Sequence, residues 1–120
     1  MDMQTGRPVT LSPRGMVTSP HSLASAAGTD VLRAGGSAVD AAIAVQAMLS
    51  LVEPQSSGIG GGAFMLRYDA ATQEIAAYDG RETAPAGASA AMFLGEDGRP
   101  LARGVAMTSG RATGVPGVVA

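Results

Sequence analysis

The sequence has no cysteine, no tryptophan and a single histidine, His21. Without thiols there is no disulfide framework and no thiolate metal site, and a reducing compartment is the expectation. One histidine also leaves a histidine-based metal site without partners. Aromatic residues make up 3% of the chain, as two Phe and two Tyr. Charge is scarce as well: 15% of residues are charged, the net charge is -2, and the basic residues are scattered. A nucleic-acid partner needs a basic stripe or patch, and none is present. Nor is there a long apolar run. The longest covers residues 38–52 and is interrupted by Asp40, Gln46 and Ser50, short of the ~20 residues of a membrane span. Residues 1–14 hold no apolar segment of the secretory kind, so a cytoplasmic location is the expectation.

What remains is apolar but small. Hydrophobic residues make up 46% of the sequence, too many for a disordered chain. Most are Ala, Val, Leu, Ile and Met. Such side chains pack closely but each buries little area, which suggests part of a larger core. The seven methionines read as core filler.

Along the chain, residues 1–14 are polar, are broken by Gly6, Pro8 and Pro13, and read as an extended arm. Residues 15–120 read as an incomplete portion of one domain. Residues 15–19 form a strand candidate stopped by Pro20. Ser22 is a candidate N-cap for a helix over residues 23–34, with an apolar stripe of Leu23, Ala27, Val31 and Ala34. Gly35-Gly36 ends it. Ser37 caps a second helix with Asp40 as its capping-box partner. That helix is apolar nearly all round and stops before Pro54. Residues 63–68 and 74–78 predict two strands joined by a hairpin loop. One helical turn is expected at residues 90–94 and a turn at 96–100. Residues 109–116 are glycine-rich loop, and another apolar element begins at 117–120. If this stretch stood alone, Leu32, Ile43, Leu49 and Val52 would lack cover.

Three features invite chemistry. Residues 58–62 are glycine-dense, but they precede a strand rather than opening a helix, and no Lys-Ser or Lys-Thr follows. A phosphate site is therefore disfavoured, and close approach of backbone to backbone or to a ligand is the better account. His21, between Ser19 and Ser22, lies too near its neighbours in sequence for a nucleophile–base pair and reads as a structural residue at a strand-to-helix junction. Arg81 follows the second strand among small residues. Its guanidinium offers two parallel donors to a carboxylate; the competing account is a surface ion pair with Glu82 or Asp79. By spacing alone, no complete catalytic set is present.

The motifs themselves say more. Gly15-Met16-Val17, the run from Ala34 to Ala42, Glu53-Pro54-Gln55 with Ser57-Gly58-Ile59-Gly60-Gly61-Gly62, Asp79-Gly80-Arg81-Glu82-Thr83-Ala84-Pro85 and Gly114-Val115-Pro116-Gly117 occur in that order. Together they resemble the start of the gamma-glutamyltranspeptidase family, over nearly the whole chain. The resemblance implies the N-terminal part of a layered α/β protein, an αββα sandwich of the N-terminal nucleophile hydrolase type. It implies a precursor that cuts itself into a large and a small subunit. The new N-terminal threonine then attacks a γ-glutamyl amide, usually glutathione, and a glutamyl-enzyme forms. No cofactor is implied. The partners would be the donor, the remainder of the large subunit, and the small subunit.

The resemblance carries one site residue onto this sequence: Arg81, as the grip on the donor's α-carboxylate. The catalytic threonine lies outside this stretch. Alternatives are a glutaryl or cephalosporin acylase-like amidase on the same fold, and a non-catalytic binding fragment. This sequence departs from many relatives in having Ser22 after His21, where they have proline. It also has Ala63 where a fourth glycine is common, and a methyl group there is expected to crowd the backbone.

Overall fold

The computed structural model describes residues 9–119. These fall into two compact units that divide between Ser56 and Ser57, each described by itself.

The first unit is a helix pair, α1 (Ser22–Arg33) and α2 (Ala38–Val52). The cap of α1 is His21 rather than Ser22: the Leu23 N–H donates to His21 Nδ1 at 3.2 Å, and Ser22 is the first helical residue. Glycines close α1 as expected. Gly35 has φ 91°, its N–H donates to the Leu32 carbonyl, and the Gly36 N–H donates to that of Val31. This pair of bonds is the Schellman motif, which needs a residue at positive φ. Residues 15–19, the strand candidate, have neither helix nor strand and pair with no strand among the described residues. The arm's first eight residues lie outside the described residues; residues 9–14 have neither helix nor strand.

The contact face of α1 lies beside the expected stripe. Ala24 and Gly28 are its buried residues, while Leu23 is exposed. A Cβ on Gly28 would sit 2.7 Å from Val45 Cγ2 and 2.9 Å from Val17 Cγ1. The face is chosen by the smallest side chains, because they let α2 approach. Leu49 is buried, so the expectation that it lacks cover does not hold; Ile43 is 63% exposed, as that expectation required.

The capping box of α2 is complete. Asp40 Oδ2 accepts from the Ser37 N–H at 2.8 Å and from the Ser37 hydroxyl at 2.7 Å, while the Asp40 N–H donates to Ser37 Oγ. The hydroxyl bond first, then the backbone bond, hold the Asp40 carboxyl below its ordinary pKa. A carboxyl with a depressed folded-state pKa stabilises the fold above its unfolded pKa, and that contribution disappears as pH falls through the folded value. The Tm difference between the intact protein and its Asp40→Asn variant should therefore be present at neutral pH and vanish in acid. A difference unchanged by pH would remove the charge from the explanation.

The second unit is built on a hairpin, β1 (Ala63–Asp69) and β2 (Glu74–Gly80), paired antiparallel from Ala63↔Gly80 to Asp69↔Glu74. This is the two-stranded sheet the sequence predicts, with each strand slightly longer. Asp69 Oδ1 accepts from the Ala71 N–H in the connecting loop. Phe64, Leu66, Tyr68 and Ile75 share one face and are all exposed. Met65 and Tyr78 lie on the other. A strand pair apolar on both faces belongs to a layer covered on both sides.

Beyond the hairpin, a 3₁₀ turn at Ala90–Phe93 and a turn closed by a Leu94↔Pro100 bridge match expectation. The short helix α3 (Arg103–Thr108) and the 3₁₀ turn Gly110–Ala112 were not anticipated. With a glycine inside it and no side-chain cap, α3 offers neither an apolar period nor a start signal. Val118 and Val119 form a turn; Ala120 lies outside the described residues.

Candidate functional site

Three glycine-bearing segments of the second unit meet around Arg81. The first is residues 60–62, leading into β1. The second is residues 79–83, leaving β2. The third is residues 114–118, more than thirty positions further on.

The joins are backbone to backbone. Gly61 accepts through its carbonyl from the N–H groups of Gly117 and Val118, both at 3.1 Å. Thr83 and Val115 exchange two hydrogen bonds, of 3.2 and 2.8 Å, as an isolated antiparallel bridge. Side chains have no room between them. A Cβ on Gly117 would lie 2.7 Å from the Arg81 carbonyl oxygen and closer still to that of Gly80. A Cβ on Gly62 would lie 2.5 Å from Glu82 Oε2 and 2.8 Å from the Glu82 nitrogen. Gly62 and Gly117 therefore serve close approach, which the sequence predicts for the first of them. Nothing approaches within 4 Å of a Cβ placed on Gly60. Ala63, the departure expected to crowd the loop, is exposed and pairs in register with Gly80.

Arg81 stands on this junction. Its N–H donates to Asp79 Oδ1 at 3.0 Å, and its Nε lies 3.4 Å from Glu82 Oε2. The surface ion pair weighed against a binding role is thus present, with Glu82 as its partner. It engages the Nε edge and leaves the Nη end without an ion pair or hydrogen bond among the described residues. The side chain is 70% exposed, so the pair contributes little to stability. A guanidinium with one edge held and the terminal edge open is suited to accepting a carboxylate.

His21 is not part of this arrangement; it is the helix cap in the other unit. At the far end of the hairpin an open depression is lined by Arg67, Asp69, Thr72, Glu74, Ile75 and Ala76. Its arginine is already paired with Asp69, so it offers a ligand less than Arg81 does.

Residues 24–120 match the family model described as gamma-glutamyltranspeptidase. The chain belongs to the gamma-glutamyltranspeptidase family. The glutathione hydrolase proenzyme of Bacillus subtilis subsp. natto is 50% identical over 105 residues, which are 88% of this chain and 18% of that protein. Among solved structures, the gamma-glutamyltranspeptidase of Helicobacter pylori superposes with a TM-score of 0.83 at 39% identity, over 93% of this chain and 32% of that one. The enzyme from Pseudomonas nitroreducens, solved in complex with L-DON, gives 0.81 at 34% identity, over 91% and 32%. The gamma-glutamyltranspeptidase fold is that of the N-terminal nucleophile hydrolases, and this chain supplies a mixed helix-and-sheet part of it. It spans about 18% of the length of the curated relatives it matches.

Proposed function

We propose that this chain supplies the donor-carboxylate grip of an enzyme that cleaves γ-glutamyl amides such as glutathione. The observation that carries the reading is Arg81, with its main chain clamped between glycine segments, its Nε edge held by Glu82 and its Nη end open. The names of the relatives, glutathione hydrolase proenzymes, support the substrate class and a precursor.

In this reading a threonine elsewhere in the protein adds its hydroxyl oxygen to the γ-carbonyl. Its proton passes to the departing amine, and a glutamyl ester remains. Water, or an acceptor amine, then adds to the ester carbonyl and releases the threonine. Arg81 takes no part in those bonds. It holds the α-carboxylate so that the γ-carbonyl is presented to the nucleophile, a positioning effect of the kind that can supply several kcal/mol of the barrier reduction.

The test uses the intact protein with a γ-glutamyl amide and the corresponding glutaryl amide, which keeps the carboxylate but lacks the α-amino group. Turnover of the γ-glutamyl amide, with glutamate and free amine released, is expected. Equal turnover of both amides would move the protein to the acylase branch. Turnover of neither would contradict the reading.

A further inference from the structure

We propose that Asp79 is a positioning residue for Arg81, acting through the arginine's backbone N–H rather than through its charge. The proposal rests on the reading of Arg81 as the donor-carboxylate grip.

The hairpin ladder ends at the Ala63↔Gly80 pair. The Arg81 N–H is the first backbone donor beyond it. A carboxylate two residues earlier is a local acceptor for such a donor. Asp79 Oδ1 takes that role at 3.0 Å. The Arg81 carbonyl on the other side of the residue lies against Gly117, and the Thr83–Val115 bridge fixes the chain two residues on. Asp79 is the side-chain tie in this set; the others are backbone.

Asp79 makes no ion pair with the Arg81 guanidinium; Glu82 does. As a charge, Asp79 would disfavour an incoming carboxylate. As an acceptor, it fixes the peptide from which the long arginine side chain projects. A small rotation of that peptide is amplified at the guanidinium, and about 1 Å of misplacement can cost a large factor in rate. Charge and acceptor therefore predict opposite outcomes when only the charge is removed.

The experiment compares Asp79→Asn and Asp79→Ala in the intact protein, each alone and combined with Arg81→Ala. The donors are γ-glutamyl para-nitroanilide and γ-aminobutyryl para-nitroanilide, which lacks the α-carboxylate. Asp79→Ala should lower kcat/KM for the γ-glutamyl donor about tenfold, mainly through KM, the scale of one hydrogen bond to a charged group. Asp79→Asn keeps an acceptor oxygen and should recover most of that loss. Neither variant should discriminate against the γ-aminobutyryl donor, and neither should add to the effect of Arg81→Ala. Equal losses on both donors, an additive loss beside Arg81→Ala, or Asp79→Asn failing as badly as Asp79→Ala would each overturn the proposal. Loss of donor preference in Arg81→Ala without any response to Asp79→Ala would leave the Arg81 reading intact and reject this one. A wild-type protein with no turnover of the γ-glutamyl donor would instead reject the Arg81 reading, and this proposal with it.

Discussion

Arg81→Ala in the intact protein is expected to lower kcat/KM for a γ-glutamyl amide by roughly one to two orders of magnitude. A charge-assisted hydrogen-bonded contact contributes about 1.5–3 kcal/mol, and removing it leaves the substrate carboxylate unpaired. Stability should change little, because the Arg81 side chain is 70% exposed and its one ion pair, with Glu82, lies at the surface. Loss of activity with an unchanged Tm is the signature of a binding role. Arg81→Lys should recover only part of the loss, since an ammonium cannot offer two parallel donors while a third engages Glu82. An Arg81→Ala protein with unaltered donor kinetics would return Arg81 to the status of a surface ion pair.

The second large effect is expected at Gly117. An alanine there would place its Cβ 2.7 Å from the Arg81 carbonyl oxygen and nearer still to that of Gly80. Both obstacles are main chain, so no side chain can swing aside, and the junction must open. Overpacking of this kind costs about 1–3 kcal/mol and occasionally more, and here the displaced segment is the one that carries Arg81. Gly117→Ala should lower both the Tm of the intact protein and its affinity for a γ-glutamyl donor. Gly60→Ala is the control: a Cβ there meets nothing within 4 Å, and substitutions at such positions usually stay within ~0.5 kcal/mol. Equal Tm values for the two variants would show that the junction is not closed as described.

These two positions also show what the sequence makes legible. The hairpin is legible as two short strand-like runs around a loop, and Arg81 as a chemical possibility, because strand propensity and guanidinium chemistry are local properties. Close approach is readable from the glycine-dense run and holds at Gly62, while Gly60 has open space; what approaches is not readable. Glu82 and Gly117 supply that answer, and Gly117 is brought there by a bridge, Thr83↔Val115, that no local pattern announces. The resemblance to a family, rather than spacing, is what raised Arg81 above a surface ion pair.

The first unit carries the same lesson in its packing. Apolar spacing predicts a stripe of Leu23, Ala27, Val31 and Ala34, yet Ala24 and Gly28 are the buried residues and Gly28 meets Val45 and Ala41 of α2, since backbone approach is rewarded where side chains are smallest. The cap moved one residue, from Ser22 to His21, because an imidazole nitrogen can accept as a hydroxyl does. The short helix α3 has no sequence signal of its own.

Burial bears on the non-catalytic alternative. Among the described residues, Ala24, Ala41 and Leu49 are the buried hydrophobic ones, while Leu51, Phe64 and Leu66 are 75%, 68% and 77% exposed. The chain spans about 18% of the length of its curated relatives, so that alternative concerns only a part of what they contain.

The most direct measurement is donor preference in the intact protein: kcat/KM for γ-glutamyl para-nitroanilide relative to γ-aminobutyryl para-nitroanilide, in wild type and in Arg81→Ala. The prediction is a wild-type preference of roughly one to two orders of magnitude for the donor bearing the carboxylate, erased by Arg81→Ala. A preference that survives the substitution would mean that the carboxylate is held by residues elsewhere in the protein, and that Arg81 is not its anchor.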